Sequence, residues 1–229
     1  IMNHLFPDTT YGCESGGDPK NIPDLTYENF LNFHRTYYHP SNSYIYLYGN
    51  MDMEEKLAFL DEHYLSHFDY LDVDSVIQEQ KEFGACRDVT LEYPVAENEG
   101  EEDNTYLSYN MVVGNAADSQ MAMAFEVLDY ALLSAPGAPL KQALLDVKAG
   151  KDVYGSYDDG ILQPYFTVIA KGSNPDRKEE FVSVIRQVLG DIVKNGIDKK
   201  AVEAGINYFE FRYREADFSS YPKGLMYSL

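Results

Sequence analysis

Tryptophan is absent, and basic side chains are scarce: 18 Lys and Arg face 38 Asp and Glu, a formal charge of −20. Nucleic-acid binders draw affinity from neutralising phosphates, so this balance argues against a nucleic-acid partner. Cysteine is nearly absent too, with only Cys13 and Cys86, far apart along the chain. That pattern suits free thiols in a reducing compartment better than a disulfide scaffold, so a cytoplasmic location is the expectation. No stretch approaches the roughly 20 apolar residues of a membrane span, and no membrane partner is expected. Asn3, His4, Pro7 and Asp8 interrupt the start, where a secretory leader would have an apolar run, and Ile1 reads as an internal position of a longer polypeptide. The chain also lacks a G-x-S-x-G elbow, a P-loop and a G-x-G-x-x-G turn, which removes the common serine-hydrolase, nucleotide and dinucleotide signatures.

What remains is ordinary globular material. Apolar residues make up 45% of 229 positions, and 20 Tyr and 12 Phe supply core and cleft surface. The acid excess reads first as a solvated exterior and second as a wall attractive to basic partners. Residues 97–103 hold the longest acidic run and read as a solvated loop.

Residues 1–24 look irregular, with turn chemistry at Ser15-Gly16-Gly17-Asp18-Pro19. A helix capped by Thr26 carries Phe30, Phe33 and Tyr37 at helical spacing and stops before Pro40. Residues 43–48 alternate as a strand, Ile45 and Leu47 on one side and Tyr44, Tyr46 and Tyr48 on the other. Asp52 and Glu55 open a helix expected to reach His67. Residues 69–84 read as a linker, with a domain boundary near residue 80. Strands follow at 87–93 and 105–113, then a helix over 118–134 and a short one over 139–147. Hairpin strands at 152–157 and 163–171 flank Asp158-Asp159-Gly160, and Pro164 suggests an edge position or a bulge in the second. Asn174-Pro175 starts a helix that Asn195-Gly196 ends, and Asp198 starts a last one reaching Ala216. This order predicts an α+β fold, an antiparallel-rich sheet layered with helices.

Few residues suggest chemistry. His63 and His67 stand at i and i+4, a spacing zinc uses on helices, but the Glu of an HExxH motif is missing between them, and they read as a solvated helix end. An inverted HxxEH motif ending at Glu62-His63 would need His where Phe59 stands. His34 and His39 read as aromatic packing at a helix end, and His4 stands alone. Cys13 lies in a glycine-rich loop and is either an incidental thiol or a nucleophile awaiting a nearby histidine.

The sequence resembles the pitrilysin/insulinase family of zinc metallopeptidases, in its presequence-protease branch. The resemblance rests on Leu5-Phe6-Pro7-Asp8-Thr9-Thr10-Tyr11-Gly12, on Ser15-Gly16-Gly17-Asp18-Pro19 and on Ile22-Pro23-Asp24-Leu25-Thr26. It continues through residues 33–42, Tyr48-Gly49-Asn50, Leu162-Gln163-Pro164 and residues 206–212. It implies a parent peptidase of four homologous domains around a chamber, with zinc bound by elements that precede Ile1. Residues 1–80 would be the end of the first, catalytic domain, and residues 81–229 most of the second, metal-free one. No metal ligand, cofactor-binding residue or catalytic residue is carried onto this chain. Lys141 stands where an anchoring Arg is expected, so no substrate-anchoring role passes to Tyr154. The implied partners are peptide substrates of the parent and the remaining domains of the same polypeptide. The other reading is a metal-free, non-catalytic structural or binding subunit of the same family.

Overall fold

A computed structural model describes residues 1–216 and 218–228. The chain divides into two compact units, Ile1–Gly12 with Glu79–Arg214 and Cys13–Gln78 with Glu215–Leu229.

The first unit is built on a three-stranded antiparallel sheet in the order β1-β3-β2. Its strands are β1 (Thr105–Val112), β2 (Asp152–Asp158) and β3 (Tyr165–Ser173). Period-2 alternation sends Leu107 from β1, Val153 from β2 and Phe166, Val168 and Ala170 from β3 to one face, where all are buried. Against that face pack α5 (Pro139–Asp146), through Leu140 and Leu144, and α6 (Lys178–Asn195), through Phe181 and Ile185. Burial of such an apolar stripe is what stabilises a helix of this length. Gly196 ends α6 at φ +88°, a conformation that suits glycine. After it comes α7 (Lys199–Glu215).

Helix α4 (Ser119–Asp129) is capped by the Asp118 carboxylate, which accepts from Met121 N at 3.0 Å. The expected helix over 118–134 changes gait after Asp129: Tyr130–Ser134 form a π-helical turn, with Ala135 N donating to the Tyr130 carbonyl. The extra residue per turn brings Ala131, Leu132 and Leu133 all into the core. Gly155 of β2 permits this, since a Cβ there would overlap Leu133 and the Thr167 carbonyl.

Pro164 does not mark an edge strand. It lies just before the central strand, where no ladder N–H is required, and its carbonyl accepts from Val113 N at 2.8 Å. Residues 87–93 form no strand, and among the described residues β1 pairs with β3 alone.

The second unit contains α2 (Tyr27–Tyr37), α3 (Met53–His63) and α8 (Lys223–Ser228), after the short α1 (Met2–Leu5) of the first unit. Thr26 caps α2 by accepting from Asn29 N, and Asp52 caps α3 by accepting from Glu55 N. Residues 43–48 form no regular element and pair with no strand, contrary to the expected strand. No strand occurs in this unit among its described residues, so these backbone groups have no ladder to join, and Ile45 stays half exposed.

Candidate functional site

The residues with metal-like spacing are not brought together. Helix α3 stops at His63 because Tyr64 leaves helical geometry (φ −137°, ψ −66°), and His67 belongs to a separate 3-10 turn, Leu65–His67. The i, i+4 face that the sequence offered is therefore broken. His63 packs on Phe59, His34 stacks on Tyr38, and His39 accepts from Ser41 N through Nδ1 while meeting Phe68 edge-on. These three histidines are accounted for by aromatic or local backbone contacts. Among the described residues no group of three His, Cys, Asp or Glu is placed to hold a metal ion, so the side chains present do not fit a zinc site. Cys13 and Cys86 are exposed free thiols.

The strongest polar constellation centres on Gln80, which nothing in the sequence singled out. Gln80 is buried; its Oε1 accepts from Asp8 N at 2.9 Å and its Nε2 donates to Asp8 Oδ2 at 2.6 Å. Its backbone N donates to Gln163 Oε1 at 2.6 Å, and its carbonyl accepts from Gln163 Nε2 at 3.3 Å. Close by in sequence, the Tyr11 hydroxyl accepts from Leu162 N at 3.2 Å. Phe6, fully buried, sets its ring edge-on to Tyr11 and Tyr165. The segments 5–12 and 162–164, more than 150 residues apart, thus form one clamp with Gln80 as its key. A side chain that satisfies both a backbone N–H and a carboxylate while buried is invisible to periodicity, because its partners are remote in sequence.

Beside the clamp runs a groove of about 2120 Å³ along the outer edge of β1. Glu79, Glu82, Glu92, Glu101, Glu102 and Asp118 on its walls outnumber Lys81, Arg87 and Lys178. A second, shallower hollow of about 460 Å³ lies between α4 and α7, lined by Met123, Val127, Ile206 and Phe209. At its rim Tyr213 donates to Glu126 Oε2 at 3.0 Å, and burial pushes both groups above their ordinary pKa. At the end of α4, Asp129 keeps one carboxyl oxygen, Oδ1, buried and unpartnered among the described residues, while Oδ2 accepts weakly from Ser134 at 3.4 Å. Burial raises its carboxyl from 3.8 to about 6.

Comparison with known proteins gives this arrangement its context. The profile of the peptidase M16 inactive domain matches residues 24–209. Protein HypA of Clostridium perfringens is 48% identical over 229 residues, covering 100% of this chain and 24% of that protein. Presequence protease 1, chloroplastic/mitochondrial, of Arabidopsis thaliana is 36% identical over 225 residues, covering 96% of this chain and 21% of that protein. The chain therefore spans about a quarter of the length of the curated relatives it matches. Among solved structures, an M16-like peptidase from Alicyclobacillus acidocaldarius superposes with a TM-score of 0.59 over 94% of this chain and 50% of that one, at 17% identity, which speaks to the fold alone. Taken with the α+β sheet architecture, these matches establish that the chain belongs to the M16 peptidase family, in its presequence-protease branch.

Proposed function

We propose that this chain is a metal-free wall segment of a zinc-dependent endopeptidase that degrades unstructured peptides. The observation that carries the reading is the match to the inactive M16 domain over 24–209, in a chain whose described residues offer no metal-ligand set. In this reading the zinc ligands and the general base lie in other parts of the parent polypeptide. Residues 1–80 are the end of its catalytic domain and residues 81–229 most of the following, metal-free domain. A break between the compact units does fall near this boundary, between Gln78 and Glu79, although residues 1–12 group with Glu79–Arg214 and residues 215–229 with Cys13–Gln78. The acid-lined groove and the charge of −20 favour extended, basic peptides as substrates and argue against nucleic acid. No helix among the described residues is long and apolar enough to cross a membrane.

Peptide hydrolysis and bound zinc, measured on the intact parent and on this chain, test the reading. The parent should hydrolyse unstructured peptides and lose that activity to a chelator; the 229-residue chain should do neither and hold no stoichiometric zinc. Stoichiometric zinc on this chain, released by the joint substitution His63→Ala and His67→Ala, would overturn it. An intact parent that is zinc-free and inactive would assign the chain instead to a metal-free binding subunit.

A further inference from the structure

Helix α6 ends at Asn195 and passes to α7 through Gly196, Ile197 and Asp198. Ile192 before this turn and Ile197 within it both pack against the core of the first unit. Asn195 and Gly196 between them are exposed, and a Cβ on Gly196 would meet nothing within 4 Å. They form the one Asn-Gly pair in the sequence. Glycine is the successor that least obstructs attack of its own backbone nitrogen on the preceding asparagine amide, because it has no Cβ.

Several other asparagine side chains are tied down. Asn42 donates to the Tyr37 carbonyl at 2.9 Å and accepts from the Ser75 hydroxyl at 2.6 Å, and Asn115 donates to Glu79 at 2.6 Å. Asn174 precedes a proline, which has no N–H to attack with. The Asn195 amide, by contrast, makes no hydrogen bond among the described residues. What restrains it is the helix cap. Gly196, at φ +88°, donates its N–H to the Ile192 carbonyl at 2.8 Å. A nitrogen whose proton is held in that bond is a poor nucleophile, and closing a ring onto the side chain requires the backbone at Asn195 to leave helical geometry. The last turn of a helix is where backbone bonds open most readily.

We propose that Asn195 is a self-modification site, gated by opening of the last turn of α6. The Gly196 nitrogen loses its proton to water and bonds to Asn195 Cγ; the Cγ–Nδ2 bond breaks and ammonia leaves, giving a cyclic imide. Water then opens the imide at either carbonyl, to aspartate or to isoaspartate. The net change is water taken up and ammonia released, with no oxidant and no second protein. Either product places a negative charge at a helix C-terminus, between Asp191 and Asp198, where the helix dipole disfavours it. Isoaspartate also inserts a methylene into the main chain between Ile192 and Ile197, whose packing on the core fixes their separation. The modified chain therefore loses the α6 cap and loosens the joint between α6 and α7.

Peptide mapping of the 229-residue chain after incubation at mildly alkaline pH, native and in concentrated urea, tests the proposal. Aspartate and isoaspartate should accumulate at position 195, at least about fivefold faster in urea, where the cap is open, than in the native chain. Asn195→Gln should suppress the product, because the longer side chain closes its ring far more slowly. Equal rates in the two conditions would overturn the gating, and no product at position 195 in urea would overturn the site. In the modified chain the amides of residues 193–198 should exchange at least about tenfold faster than in the fresh chain. Unchanged exchange there would overturn the loosening of the joint.

Discussion

Asp129 shows how a single carboxyl links this fold to pH. Its folded value of about 6 lies above the usual 3.8, and burial is the main cause. The folded chain therefore binds the proton more tightly than the unfolded chain does. Stability is greatest while both states are protonated, falls as pH rises from about 4 through 6, and is level above that. After allowance for its partial solvent access, the loss is about 1–2 kcal/mol. Urea midpoints at pH 4.5 and 7.5 should show this fall in the native chain and not in Asp129→Asn; an unchanged slope in the variant would dismiss the assignment. Gln80 acts at the same scale. Gln80→Ala removes three part-buried side-chain hydrogen bonds and leaves the Asp8 N–H without its acceptor, at a cost of about 2 kcal/mol. Equilibrium denaturation measures this directly, and a change under about 0.5 kcal/mol would mean that the clamp contributes little.

At the scale of elements, two glycines predict opposite signs for one substitution. Gly155→Ala should destabilise by about 2–3 kcal/mol, because its Cβ would meet the Thr167 carbonyl and Leu133 where β2 and the π-turn pack together. Gly190→Ala, in α6 with no atom within 4 Å of the added methyl, should stabilise by about 0.5–1 kcal/mol. Thermal unfolding of the two variants should move the midpoint in opposite directions; parallel shifts would refute the packing argument. Helix starts were legible in the sequence to within a residue or two wherever a side chain caps them, as at Thr26, Asp52 and Asp118, whereas the ends of α3 and α4 fell short of the expected His67 and Ser134. A cap is a local interaction, so local sequence announces it. Residues 43–48 and 87–93 were misread as strands because alternation records only which faces could be buried, while pairing depends on a neighbour elsewhere. The π-turn went unseen because Tyr130–Ser134 keep the composition of an ordinary helix. The Gln80 clamp was beyond reach for the same non-local reason, although Phe6, Tyr11 and Gln163, which it gathers, had already stood out in the family resemblance.

At the scale of the molecule, the two units differ in how much they bury. The first holds a continuous core from Leu107 to Ile185, while among the described residues no side chain of residues 13–78 is buried. Local stability follows buried apolar contact, so amides of α2 and α3 should exchange far faster than those of α6. Limited proteolysis should likewise cut residues 69–78 or 94–103 before α6. Slow exchange in α2 matching that in α6 would contradict this ordering. The clamp has a further consequence, in the order of synthesis. Tyr11 meets Leu162 across 151 positions. At about 5–20 residues per second, the stretch containing Phe6 leaves the ribosome about 8–30 s before its partner has been translated. During that interval the Phe6 ring, destined for full burial, has no native surface to dock on. Its docking is a late event that cannot begin until β3 is about to emerge.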